Sequence, residues 1–363
     1  MSKKPALLYA EHWRVVLVKR FCVVSVFLLT FFSSCDRAEE AKIAPRPGKT
    51  GIATLRFYDQ SRERPLITEV WYPVDEVAPA APVEGLWVRC PEARDAPLKA
   101  RGKQYPLIIM SHGSWSDRLN NSWMAETLVA NGYIVASMDH YGNTWNNKIP
   151  ECFVKLWDRP QDVSFVIDQI LQNEKFAPYI NPNRIGFVGY SLGGLTGIWI
   201  AGGQVAQFDK PLMDAIPAEH VPSSLNEEII SSIDFSPAQH SYKDPRVSAV
   251  FVMAPALGYL FDMASLQSIS IPVHIVASAG DQVVPLDSSA SILASAIKKA
   301  TLVLISPSAS HYVFLNEVTK GGKMLLDKKV ALDAPDIDRA KIHEDVGISA
   351  VRFFNQHLST RQK

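Results

Sequence analysis

Ser191 stands in Gly189-Tyr190-Ser191-Leu192-Gly193-Gly194, behind the apolar run Arg184 to Gly189 and ahead of LTGIWIAG. A strand, a sharp turn and a helix in that order are what a strained nucleophile turn needs, because the glycines let neighbouring chain pass close while the serine is lifted to the tip. A serine hydroxyl is a weak nucleophile at neutral pH and acts only beside a base that a carboxylate orients. The chain must therefore supply both further on. Asp281 follows the run PVHIVAS in AGDQVVP, and His311 follows TLVLIS in SASHY. Each lies just beyond the C-terminal end of an expected strand, the edge at which open parallel sheets carry their sites. Asp262, nine residues past Met253, is the rival acid, since the carboxylate can also come from the preceding strand.

Acyl transfer places negative charge on a carbonyl oxygen, so fixed N–H donors must await it. Leu192, directly after the serine, supplies one. The loop after the run PLIIMS reads His112-Gly113-Ser114-Trp115, and the N–H of Ser114 is the second candidate. His112 precedes the glycine and is read as orienting that loop rather than as a base. Trp115 and Tyr141 head a set of aromatics, with Trp123, Trp145, Tyr259 and Phe261, that fall near this edge and are candidates for an apolar acyl pocket.

Such residues need a scaffold. Short β-branched runs recur at Leu66 to Tyr72, Pro106 to Ser111, Tyr133 to Met138, Arg184 to Gly189, Val247 to Met253, Pro272 to Ser278 and Thr301 to Ser306, with helical patterns between most of them. Continuous apolar stretches such as LIIM and IGFV suit strands buried on both faces. Val163, Val166, Ile167 and Ile170 keep helical spacing behind Asp158, a candidate N-cap with Pro160 in the first turn. Alternating strands and helices predict an α/β fold with a mostly parallel sheet. Gly51 to Phe57 and Leu66 to Tyr72 have no helix between them and predict an antiparallel hairpin at one edge. Residues 75–104 and 203–245 interrupt the scheme, the second long enough to form a lid or cap.

The chain has 363 residues, 47% hydrophobic and 20% charged, with 37 basic and 37 acidic side chains. That balance leaves no field to draw nucleic acid, and none is expected as a partner. Lys3, Lys4, Arg14, Lys19 and Arg20 precede an uncharged run from Phe21 to Ser34, which ends at Cys35. Basic flank, apolar stretch and small residues are the parts of an export signal, and the run is shorter than the roughly 20 residues a spanning helix needs. Phe32-Ser33-Ser34-Cys35 resembles a bacterial lipobox, which makes residues 1–35 a signal with Cys35 as lipid attachment point. The polar residues 36–50 then read as a tether to a domain over 51–363, exported and membrane-anchored. Cys90 and Cys152 show no metal-ligand spacing, and in an oxidising compartment they could pair or stay separate.

Taken together, these stretches resemble the bacterial predicted dienelactone hydrolases with a serine nucleophile, relatives of platelet-activating-factor acetylhydrolase within the α/β-hydrolase fold. The resemblance runs through DQSRERPLITEVWYP at 59–73, SHGSW at 111–115, GYIVASMDHYGNT at 132–144, DRPQDVSFVID at 158–168, GYSLGG, DPRVSAVFVMAPALG at 244–258, SHYVFL and DIDRAKIHEDVGISAVRFF at 336–354. It implies an esterase or lipase-like activity on a small-molecule or lipid ester, carried by Ser191, Asp281 and His311, with neither metal nor organic cofactor. Two departures bear on substrate: true dienelactone hydrolase has a cysteine where this chain has Ser191, and MAPALG carries no carboxylate where plasma-type acetylhydrolases place their acid. The alternatives are an amidase or peptidase on the same triad, or a binding protein that keeps the fold without the activity.

Overall fold

The computed structural model describes residues 49–75, 85–102, 104–206 and 221–359. The expected signal, the expected lipobox with Cys35 and the expected tether up to residue 48 lie outside them. No helix among the described residues is long and apolar enough to cross a membrane.

Among the described residues nine strands form one sheet: β1 (Thr50–Asp59), β2 (Arg64–Pro73), β3 (Ala93–Arg94), β4 (Tyr105–Ser111), β5 (Ile134–Met138), β6 (Ile180–Tyr190), β7 (Val247–Met253), β8 (Val273–Ser278) and β9 (Ala300–Ile305). Their order across the sheet is β3-β1-β2-β5-β4-β6-β7-β8-β9. The β1/β2 hairpin is antiparallel, with Thr50 opposite Pro73 and Asp59 opposite Arg64, and β2 joins β5 antiparallel. From β5 to β9 every pairing is parallel. The hairpin and the parallel order agree with the alternation read from the sequence. Strand β6 starts earlier than Arg184, because Ile180 already pairs with Tyr105 across an irregularity in register. Thr50 lies in β1, so the tether expected to reach residue 50 ends short of it.

Period-two alternation divides the apolar residues between two cores. Leu107 and Ile109 of β4 face one core with Val163, Val166, Ile167 and Ile170 of α2 (Asp158–Gln172) and Ile198 of α3 (Leu192–Ala201). Ile108 and Met110 face the other, with Met124 and Leu128 of α1 (Ser122–Ala130) and Val346, Ala350 and Phe354 of the C-terminal helix Arg339–His357. Helices on both faces explain the unbroken apolar runs, since neither side of the central strands meets water.

Asp158 differs from its expected role. The residue preceding α2 is Trp157, without a side-chain cap bond, and Asp158 lies in the first turn. Its carboxylate accepts from Arg64 at 3.1 Å instead, because an arginine buried on the neighbouring hairpin offers a stronger partner than a backbone amide. The 75–104 insertion contributes β3, which adds beside β1, and the described part of 203–245 holds one short helix, Glu227–Ser232, and a 3-10 turn, Ser236–Gln239. Cys90 and Cys152 are both free thiols.

Candidate active site

The turn between β6 and α3 puts Ser191 at φ 54° and ψ −115°, a conformation that a side chain adopts only under constraint. Several contacts supply that constraint. Ser191 N donates to Met253 O at 2.9 Å and Ser191 O accepts from Ala256 N at 3.0 Å, which pins the turn to the end of β7. A Cβ at Gly189 would stand 2.2 Å from Gly193 O, and one at Gly193 2.0 Å from Ser111 O. Both glycines of G-x-S-x-G are thus required by close backbone approach.

The candidate base and acid are held by two further loops. His311 opens a 3-10 turn, His311–Phe314, after β9; its Nε2 lies 2.9 Å from Ser191 Oγ and its Nδ1 2.6 Å from Asp281 Oδ2. The other oxygen of Asp281 accepts from the amides of Val283 and Val284 at 2.9 and 2.8 Å. An acceptor-only carboxylate against Nδ1 fixes the tautomer, leaving the Nε2 lone pair for the serine proton. Ser278, a residue the sequence reading passed over, binds the two loops together by donating to Ala309 O at 2.7 Å while accepting from Gly280 N at 3.1 Å. Asp262, the rival acid, is exposed and caps the helix Met263–Ser268, its Oδ2 accepting from Ser265 N at 2.7 Å.

A cavity of about 340 Å³ opens at Ser191, bordered by Ser114, Leu192, Phe153, Leu156, Leu257, Tyr259 and Val283 among others. None of its lining side chains among the described residues is charged. Val221, from the 203–245 insertion, lies in this lining. Trp115 and Tyr141, expected to form an acyl pocket, do not border it. Trp115 has φ 59° and packs its ring 4.8 Å from that of Phe153, so it backs a lining residue instead. Tyr141 lies in a separate surface depression, with the Arg64 guanidinium 5.7 Å over its ring. Of the six aromatics singled out in the sequence, Tyr259 is the one in the lining. Trp145 is exposed and donates to Asp117 at 2.7 Å, while Phe261 is buried against Trp199.

The candidate oxyanion donors adjoin this cavity. Leu192 is the first residue of α3, so its N–H has no acceptor within the helix. Ser114 borders the same space, and a Cβ on neighbouring Gly113 would come 3.2 Å from Ser191 Cβ. His112 is buried, its Nε2 accepting from His140 N at 3.1 Å and its Nδ1 2.7 Å from Gly113 O. Burial first, with the nearby Arg159 cation second, holds His112 well below the usual histidine range. It is a neutral brace on the loop, as its place before the glycine suggested. Among the described residues no group of three or more histidines, cysteines or carboxylates has metal-binding geometry.

Comparison with known proteins gives three findings. The sequence profile of the family platelet-activating factor acetylhydrolase, isoform II, matches residues 85–146, which carry the His112–Ser114 loop but none of Ser191, Asp281 or His311. Dipeptidyl-peptidase 5 of Porphyromonas endodontalis is 31% identical over 137 residues, and its counterpart in Porphyromonas gingivalis 31% over 129. These alignments take in 34% and 32% of this chain and span 18% and 17% of the two relatives. A ferulic acid esterase from Streptomyces cinnamoneus superposes with a TM-score of 0.59 over 90% of this chain and 94% of its own, at 18% identity. Sheet order, the turn at Ser191 and this superposition agree: the chain has the α/β-hydrolase fold.

Proposed function

We propose that the chain hydrolyses carboxylic esters through an acyl-enzyme on Ser191. The observation that carries the reading is the unbroken relay from Ser191 Oγ to His311 at 2.9 Å and on to Asp281 at 2.6 Å, opening on a cavity with no charged side chain among its described lining residues. Ser191 Oγ attacks the acyl carbon as His311 Nε2 takes its proton, and Asp281 stabilises the imidazolium that results. The oxyanion is received by the N–H groups of Leu192 and Ser114. As the tetrahedral adduct collapses, His311 returns the proton to the departing alcohol; water, activated by the same histidine, then releases the acid and restores Ser191.

Likeness to the dipeptidyl-peptidases favours a second reading, cleavage of peptides. A dipeptidyl-peptidase must hold a free amino terminus, which calls for a carboxylate near the nucleophile. The described lining holds no carboxylate, only the neutral oxygens of Ser114, Ser191, Tyr259, Gln282 and Ser288, and this supports the ester. At the N-terminus we propose lipidation at Cys35 and attachment to a membrane on the exported side, on the strength of the basic, apolar and FSSC order. The deciding experiment is labelling by a tagged fluorophosphonate with peptide mapping, beside turnover of p-nitrophenyl butyrate, the matching anilide and a dipeptidyl anilide. Label at Ser191 with ester turnover alone is expected. Faster turnover of the dipeptidyl anilide would establish the peptidase.

A further inference from the structure

Beneath the His112–Ser114 loop lies a cation that the relay does not use. Arg159, in the first turn of α2, is buried, and its Nη1 donates to His112 O at 2.8 Å. Its Nη2 donates to Gly113 O at 3.3 Å and to Asn143 Oδ1 at 2.8 Å. Its Nε is buried with no hydrogen-bond partner. Burying a guanidinium and orphaning one of its donors costs several kcal/mol by order of magnitude, so packing alone does not account for it. Part of that cost is offset by Asp162, buried one turn on, which accepts from Arg64 and bonds His140 Nδ1 at 2.9 Å. Burial pushes Arg159 down to about 9, which leaves it cationic near neutrality.

The carbonyls that Arg159 holds decide where the next amide points. His112 Nε2 accepts the backbone N–H of His140, which can only donate, so Nδ1 carries the ring proton and donates to Gly113 O. Gly113 O is therefore held twice, by His112 and by Arg159. In a planar trans peptide the C=O of one residue and the N–H of the next point in opposite directions. With Gly113 O turned toward the buried guanidinium, the Ser114 N–H is turned away from it, and the loop itself runs close to the nucleophile turn, since a Cβ on Gly113 would come 3.2 Å from Ser191 Cβ.

We propose that Arg159 is a positioning residue for the oxyanion hole: with His112 it clamps the Gly113–Ser114 peptide in the one orientation that presents the Ser114 N–H to Ser191. The proposal rests on the esterase reading. Without the clamp the peptide can rotate, presenting a carbonyl to the oxyanion in place of a donor.

The test uses the full chain with Arg159→Gln and Arg159→Lys, measuring kcat and KM for p-nitrophenyl butyrate. It also measures inhibition by an acyl trifluoromethyl ketone, which forms an oxyanion on Ser191, and by an unreactive ether isostere, which does not. For Arg159→Gln, kcat should fall about a hundredfold or more with KM within about threefold, since a lost oxyanion donor acts on the transition state. Ketone affinity should weaken in step with kcat while the ether holds, and Lys should recover part of the loss. A kcat within about fivefold of the parent, or ether affinity falling with the ketone, would overturn the clamp. Should both variants misfold, His112→Asn, which keeps a donor near the Nδ1 position, is compared with His112→Leu, which keeps the volume. Asn outperforming Leu in kcat supports the clamp, and the reverse order refutes it. A crystal structure of Arg159→Gln, or of His112→Leu, separates this idea from the esterase reading. An unrotated Gly113–Ser114 peptide sinks the clamp whatever the activity; a rotated one beside a parent that turns over no ester sustains the clamp and refutes the esterase.

Discussion

Tyr190 donates from its phenol to the backbone carbonyl of His311 at 3.1 Å, so the residue before Ser191 holds the histidine that its hydroxyl meets. The two rings also lie 5.1 Å apart, and burial pushes the Tyr190 hydroxyl well above the ordinary tyrosine range, keeping it a donor. Tyr190→Phe removes one hydrogen bond from a buried carbonyl and should cost about 1 kcal/mol in unfolding free energy. Turnover should fall more than KM rises, because His311 loses its fixed distance from Ser191. Urea titration and steady-state kinetics check it; unchanged values in both would show that Tyr190 acts through packing alone.

Ser191→Ala should leave circular dichroism unchanged and lower ester turnover at least about a thousandfold, what remains coming from the oxyanion donors and binding. Residual activity within about tenfold of the parent would move the nucleophile to another residue.

The acid is tested by a pair of substitutions. Asp281→Asn offers an amide where His311 Nδ1 needs an acceptor, and kcat should fall by roughly a thousandfold or more while KM changes little. Asp262→Asn should be almost silent, since asparagine caps a helix about as well as aspartate. A severe loss at Asp262 with a near-normal Asp281 variant would reverse the assignment.

Acid should destabilise the fold. Burial, the largest cause in each case, depresses His140 to about 3 and His343 to about 4, and holds His112 well below its usual value. A histidine whose folded pKa is lowered contributes stability that is complete above the unfolded value of about 6.5 and lost as pH falls, because the unfolded chain then binds more protons. Each such proton is worth up to about 1.4 kcal/mol per pH unit. Urea midpoints should therefore drop between pH 7.5 and 5, and His343→Gln should make the drop shallower. An equally steep drop would remove His343 from the cause.

Glu126 has the opposite sign. Burial, ahead of every other cause, raises its carboxyl to about 7, so the folded protein keeps a proton that the unfolded chain loses near 4.5. Stability is complete below about 4.5 and declines as pH rises toward 7, by on the order of 3 kcal/mol. Glu126→Gln can still accept from the Cys90 amide, which lies 3.2 Å from Glu126 Oε1. It should match the parent at pH 5 and exceed it in melting temperature at pH 8; equal melting temperatures at pH 8 would mean that Glu126 ionises freely.

On the proposed lipidation, the parent should be found in the membrane fraction and Cys35→Ala in the soluble exported fraction. Persistence on the membrane would place the anchor elsewhere in the N-terminal segment.

Ser191, Asp281 and His311 were legible in the sequence because each follows an apolar strand run at a turn, and a parallel sheet with helices on both faces delivers such turns to one edge. The hairpin, the strand order of elements and the loop with His112, Gly113 and Ser114 were legible for the same reason: local periodicity and glycine placement are short-range signals. The tertiary structure alone separated Asp281 from Asp262, since both follow strands and only three-dimensional contact shows one on His311 and the other capping a helix. It also moved Trp115 and Tyr141 away from the cavity and brought Tyr259 and Val221 to it. Arg159, with His140 and Asp162, carries no local signature of its role, because its partners at His112, Gly113 and Asn143 lie on other segments. A guanidinium in a helix's first turn reads as surface charge until packing buries it, and only the fold decides which carbonyls it then meets.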